Sequence, residues 1–167
     1  MKFFKIIITL VFIVTVCGCI SNKENSSKLL TSIVNEYQDH EGFDEKEFPL
    51  GLFTKKFYQS EADFAKTILT KLSEVSEMAL SETEVISLKL LKFKLKDQID
   101  YFTYERFLNP LLSDAGFHSN LNYSVRPLSS YKAAKNYLNK LNAIPVFVDQ
   151  HFVNLREGLE KGVSQPK

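Results

Sequence analysis

One stretch settles the kind of structure this chain can build. Leu88, Leu91, Leu95, Ile99 and Phe102 recur at steps of three and four, the spacing that gathers side chains on one helical face. Ile86, Leu90 and Phe93 widen that face, and Lys89, Lys92, Lys94 and Lys96 read as its solvated flanks. Ser81 with Glu84 forms a capping box at its start, each side chain answering an orphan backbone N–H of the other. The spacing predicts a helix over about 82–108, closed by Asn109-Pro110, because the residue before a proline is pushed out of helical geometry.

The rest of the chain reads the same way. Leu29, Leu30, Ile33, Val34 and Tyr37 predict a first helix near 28–40. Gly42, Pro49 and Gly51 break the pattern, and Ser60 with Asp63 resembles a second helix start. Phe64, Ile68, Leu72, Val75 and Ala79 follow as an apolar face. The short Ala79-Leu80-Ser81 joint predicts that this helix and the 82–108 helix pack as an antiparallel hairpin. Residues 109–128 read as the longest irregular stretch, a candidate for a loop with a function. Ser129 or Ser130 caps a further helix bearing Tyr131, Ala134, Tyr137, Leu138 and Leu141. Asn142 then caps another, with Pro145 in its first turn and Ile144, Val148, Phe152, Leu155 and Leu159 as its inner stripe. Lys161-Gly162 ends it with a glycine free to turn left-handed. Period-two runs and fixed-period repeats are lacking, so the expected class is all-α.

The front end carries an address. Lys2 and Lys5 precede an apolar run from Ile6 to Cys17, shorter than the roughly 20 residues of a membrane span and of the length of a secretory core. Val16-Cys17-Gly18-Cys19 resembles the lipobox of bacterial lipoproteins. The resemblance implies that residues 1–18 are a signal peptide, and that Cys19 is acylated on a thioether and anchored in the membrane. A plain secretory signal or an uncleaved apolar N-terminus is the alternative. Ile20 and Ser21 follow with no aspartate, which favours the outer membrane of a bacterial envelope. Residues 19–28 are polar and read as a flexible tether, leaving 29–167 as a helical region. Cleavage removes Cys17, so no thiol remains for a disulfide or a metal.

Charge excludes one class of partner. Taking Lys2 and Lys5 from the 21 basic residues leaves near-balance against 20 acidic ones, without the basic stripe a nucleic-acid binder needs.

Catalytic chemistry is hard to find. His40 stands among Asp39, Glu41 and Asp44, but near-consecutive loop residues rarely converge on one metal ion, so a solvated loop is expected. His151 reads as a satisfied, partly buried histidine beside Phe147 and Leu155, and Glu105-Arg106 as a surface pair after Tyr101, Phe102 and Tyr104. His118 with Ser119, in Gly116-Phe117-His118-Ser119, is the suggestive pair and a candidate substrate-cleft element. No H-E-x-x-H, G-x-S-x-G or phosphate-cradling glycine loop occurs. No catalytic residue and no metal ligand is assigned.

The C-terminal third carries Tyr137, Leu138, Leu141, Ile144, Pro145, Asp149, Gln150, Asn154, Arg156, Gly158, Gly162, Val163 and Pro166, with the Gly116–Ser119 loop before them. In these residues it resembles the bacterial family called domain of unknown function 885. The resemblance covers about 43–167. It implies the N-terminal part of a larger, mostly helical, zinc metallopeptidase-like lipoprotein, whose histidine-glutamate zinc motif has no counterpart here. Zinc and a peptide substrate therefore belong to a full-length form, and this chain is expected to be inactive. A region shaped to lie against a larger body keeps an apolar face, so marginal stability or self-association is expected of it alone. The competing expectation is a complete small helical lipoprotein acting as a binding or scaffolding module, and a third is the remnant of a broken gene.

Overall fold

The structure, a computed structural model, describes residues 24–111, 116–121 and 128–163. It is all-α: helices α1 (24–38), α2 (Lys55–Leu72), α3 (Glu82–Thr103), the short α4 (Phe117–Asn120) and α5 (Tyr131–Glu160), with 3-10 turns at Glu77–Ala79 and Arg106–Leu108. No strand occurs among the described residues, and none of their helices is long and apolar enough to cross a membrane. Residues 1–23, with the expected signal peptide over 1–18, the candidate acylation site Cys19 and the start of the expected tether, lie outside the described residues.

The described residues fall into two compact units, one of 24–40 with 65–96 and the other of 41–64 with 97–163. In the first, Leu30, Ile33, Ala65, Ile68, Leu72, Val75, Leu88, Leu91 and Leu95 are buried. Truncating an aliphatic side chain in such a core to alanine costs about 2–5 kcal/mol. The Ser27 hydroxyl meets the Glu84 carboxylate, and the Lys94 ammonium lies 5.4 Å from the Tyr37 ring centre. Both pairs are 57 residues apart in sequence, so α1 and α3 run parallel. Glu36 receives the Lys71 ammonium at 2.5 Å and ties α1 to α2.

The Ser81–Glu84 capping box forms as expected: Glu84 Oε2 accepts from Ser81 N at 2.8 Å and from Ser81 Oγ at 2.6 Å. Other boundaries differ from the sequence reading. Residues 24–28, expected within the tether, are helical. Helix α2 starts at Lys55 because the Thr54 hydroxyl accepts from Phe57 N at 3.2 Å, while the Ser60 hydroxyl only donates back to the Phe57 carbonyl. Helix α3 stops at Thr103, where Glu105 takes a left-handed φ of 50°. Ile86, Leu90 and Phe93, expected to widen the inner face, are exposed.

In the second unit, Gln98 Nε2 donates to the Glu61 carboxylate at 3.0 Å, and the Tyr58 and Tyr101 rings lie 5.3 Å apart. Residue numbers fall on α3 as they rise on α2, the antiparallel pairing expected. The joint itself differs, since α2 ends at Leu72 and residues 73–81, with the 3-10 turn at Glu77–Ala79, replace the short Ala79-Leu80-Ser81 link. The 30 residues of α5 form one helix, not two, with Pro145 inside it. Ser130 caps it, accepting from Ala133 N at 3.1 Å. At its other end Val163 N reaches the Gly158 carbonyl at 2.8 Å and Gly162 N the Leu159 carbonyl at 3.0 Å. With Gly162 at φ 77°, this is the left-handed stop expected there.

Candidate functional site

The second unit is organised around Phe53. Its backbone N–H donates to Gln150 Oε1 at 2.5 Å, and its carbonyl accepts from Asn154 Nδ2 at 2.8 Å. Its ring lies 5.2 Å from Phe147 and 4.4 Å from His151. Two polar side chains on successive turns of α5 thus satisfy a backbone segment that burial would otherwise leave unpaired. One turn further on, α5 meets the Leu108 carbonyl at Gly158, where a Cβ would stand only 2.6 Å from that oxygen.

The covered face of α5 is therefore Phe147, His151, Asn154 and Gly158, and not the stripe of Ile144, Val148, Phe152, Leu155 and Leu159. Within that stripe Phe152 is 45% exposed and Leu159 68%. Ile144, Val148 and Leu155 are half-buried, so the stripe flanks the covered face and opens to solvent at Phe152 and Leu159.

His151 is buried among Phe53, Phe147 at 4.7 Å and Phe117 at 4.4 Å, the last stacked on it. The expectation of a satisfied histidine fails: neither ring nitrogen has a hydrogen-bond partner among the described residues. Burial pushes its pKa down to about 4, because a charged ring loses its hydration there. It is a neutral packing group at neutral pH.

The expected cleft pair lies on α4. His118 is exposed, and Ser119 Oγ donates to the Gly116 carbonyl at 2.8 Å, closing a local turn. The residue of that segment that reaches the interior is Phe117, through its stacking on His151. Glu105 and Arg106 do not pair with each other: Glu105 accepts from Lys161 at 2.5 Å, and Arg106 binds Asp97 at 2.7 Å over the Tyr101 ring. Burial and the neighbouring Tyr101 hold the Tyr58 hydroxyl well above the usual tyrosine range.

A groove runs between the 43–51 segment and the first half of α5. Two adjoining hollows of about 350 and 430 Å³ share Lys46, Phe48, Pro49, Gly51 and Asn139. Asn136, Asn139 and Asn142 line it from the helix side, opposite Phe43, Phe48 and Pro49. None of the three carboxamides has a partner among the described residues. The segment opposite is shaped by Asp44, which accepts from Lys46 N at 2.7 Å, and by a left-handed Gly51. His118 and Ser119 do not line this groove. Its asparagines fall at steps of three in the sequence, a signal available from spacing alone but overshadowed by the histidines.

The described residues hold no group of three or more His, Cys, Asp or Glu side chains that could take a metal ion. His151 is enclosed by rings, and His118 stands in solvent. Zinc, which the resemblance brings with it, does not fit the side chains described, and no chemical step is derived through it.

The second unit is all-α, with α5 bonded to Phe53 through Gln150 and Asn154 and closely approached by the Leu108 carbonyl at Gly158. The chain matches the family described as "Bacterial protein of unknown function (DUF885)" over residues 38–167, and it belongs to that family. Comparison with curated proteins and with solved structures gives no match. Several residues that carry the resemblance now have physical roles: Gln150 and Asn154 bond to Phe53, Gly158 admits the Leu108 carbonyl, and Gly162 turns the chain. Asp149 and Arg156 stand exposed on α5 with no contact that explains them.

Proposed function

We propose that this chain is the peptide-receiving, helical part of a lipid-anchored, peptidase-like protein of the bacterial cell envelope. It is held to the outer membrane through acylated Cys19 and is without hydrolytic activity of its own. The observation that carries this reading is the groove. Each asparagine carboxamide offers one acceptor and two donors, the complement of a backbone N–H and C=O. Phe43, Phe48 and Pro49 opposite offer apolar surface for side chains, interspersed with Glu45, Lys46 and Glu47. Such a surface reads main chain first and side chain second, which suits a partner of extended polypeptide.

In this reading the chain binds and orients, and a further polypeptide body supplies the groups that activate water. The exposed stripe on α5 supports that division, since Phe152 and Leu159 form an apolar edge next to the clamped face. The second reading, a self-sufficient binding module, is favoured by the buried core that each unit has of its own.

The test is fluorescence anisotropy of a labelled, unstructured peptide rich in leucine and alanine, titrated with the purified mature chain. Asn139→Ala with Asn142→Ala is expected to weaken binding about tenfold, as for the loss of one or two hydrogen bonds at about 0.5–1.5 kcal/mol each. The mass spectrum of the peptide is expected to stay unchanged. Unaltered affinity in the double variant, or cleavage by the chain alone, overturns the proposal.

A further inference from the structure

We infer that the outward face of α3 is a membrane-contact surface that lies on a bilayer bearing anionic headgroups. Ile86, Leu90 and Phe93, at steps of four and three, are 58%, 64% and 74% exposed. They lie opposite the buried Leu88, Leu91 and Leu95, so α3 is apolar on two sides and only one is covered within its unit. Met78, in the 3-10 turn before the helix, is exposed as well.

The charges around the outer stripe select the partner. From Val85 to Lys96 the helix carries four lysines and no acid. Lys89 touches Glu77 at 3.1 Å and Lys94 leans on Tyr37, and both remain exposed. Lys96 is exposed with no partner among the described residues. Glu82 borders the face at one end, and Asp97 borders it at the other, already paired with Arg106. An apolar stripe bordered by lysines is the pattern of an interfacial helix: the rings and branched chains enter the acyl boundary while the ammonium groups reach back to phosphates. A protein partner would suit it less, because lysine is depleted in the cores of such interfaces.

The position of this face in the chain points the same way, and here the inference rests on the acylation of Cys19 proposed above. Cys19 precedes α1 by five residues, a reach of at most about 18 Å when extended. The first turn of α1 holds Glu84 through Ser27, and Ile86 begins the stripe two residues later. The anchor and the stripe therefore share one end of α1 and α3. The acyl chains set the distance to the bilayer, and the α3 face sets which side of the molecule turns towards it.

The test uses the full chain purified from membranes, with the chain lacking an added cysteine labelled in parallel so that any dye taken up at Cys19 is subtracted. Thr83→Cys, on the outer face of α3, and Thr70→Cys, exposed on α2, are each labelled with an environment-sensitive dye. The chains are then reconstituted in vesicles of phosphatidylglycerol with phosphatidylcholine, or of phosphatidylcholine alone. The Thr83→Cys probe is expected to shift to the blue in the anionic vesicles only, and the Thr70→Cys probe in neither. Leu90→Asn with Phe93→Asn is expected to abolish the shift while circular dichroism stays unchanged. An unshifted Thr83→Cys probe, equal shifts in both lipids, or a shift that tracks protein concentration without lipid (a second copy covering the face) each overturns the inference. Labelling cells with radioactive palmitate, against Cys19→Ala, separates the two ideas. A labelled chain with no dye shift removes the surface alone. A dye shift with no label at Cys19 removes the anchor alone.

Discussion

Asn154 donates its carboxamide to the Phe53 carbonyl at 2.8 Å, across 101 residues of sequence. With Gln150 on the Phe53 N–H, it makes α5 complementary to one short backbone segment. A buried carbonyl left without its donor costs about 1–3 kcal/mol. Asn154→Ala is therefore expected to lower the midpoint of thermal unfolding by several degrees. Asn154→Asp is expected to do at least as much harm, because a carboxylate cannot donate to a carbonyl. Circular dichroism melts of the two variants check this.

Gly158 and Gly162 lie four residues apart and differ in why they are glycine. At Gly158 an added methyl would meet the Leu108 backbone at 2.6 Å, so Gly158→Ala must push α5 away from the 106–108 turn. Overpacking of this kind costs about 1–3 kcal/mol or more. At Gly162 space is open but φ is 77°, and the left-handed conformation alone costs about 1–2 kcal/mol in alanine. Urea unfolding is expected to rank Gly158→Ala as the more damaging. It is also expected to show that Leu108→Ala eases Gly158→Ala little, since the obstacle is backbone oxygen.

His151 makes stability depend on pH. Its folded pKa of about 4 lies below the ordinary 6.5, so the unfolded chain takes up its proton first as pH falls. The contribution is fully present above about pH 6.5 and is lost as pH drops through 4. The groups packed against it are the rings of Phe53, Phe117 and Phe147, and none of these carries charge. His151→Leu is expected to flatten the midpoint-against-pH curve between 6.5 and 4.5, where most carboxylates are still ionised. An unchanged curve would show that the ring is already solvated in the native protein.

What the sequence revealed and what it hid follow one rule. Local devices were legible: Ser81 with Glu84, the glycine stop at Gly162, and Leu88, Leu91 and Leu95 as a buried face; the antiparallel order of α2 and α3 was legible too, but not the length of the joint between them. Each depends on residues within one or two helical turns. The orientation of α5 was not legible, because counting apolar residues picks the stripe through Val148 and Phe152. The face actually covered is chosen by Gln150 and Asn154, whose partner lies about a hundred residues earlier. Burial of the outer α3 stripe was misjudged for a related reason. A helix apolar on two sides does not announce which side its own chain will cover. Thr54 went unnoticed as a cap because two lysines follow it, against the usual preference for acids in a first turn. Ser119 drew attention for its chemistry, whereas its hydroxyl is taken up by Gly116.

Pro145 leaves a mechanical signature on α5. Lacking an N–H, it cannot complete the rung to the Leu141 carbonyl, and the fastenings to Phe53, Leu108, Lys55 and Glu105 are all made at or beyond Phe147. Asn136, Asn139 and Asn142 lie on the other side of that missing rung, so the groove and the clamp on Phe53 are carried by separate stretches of one continuous helix.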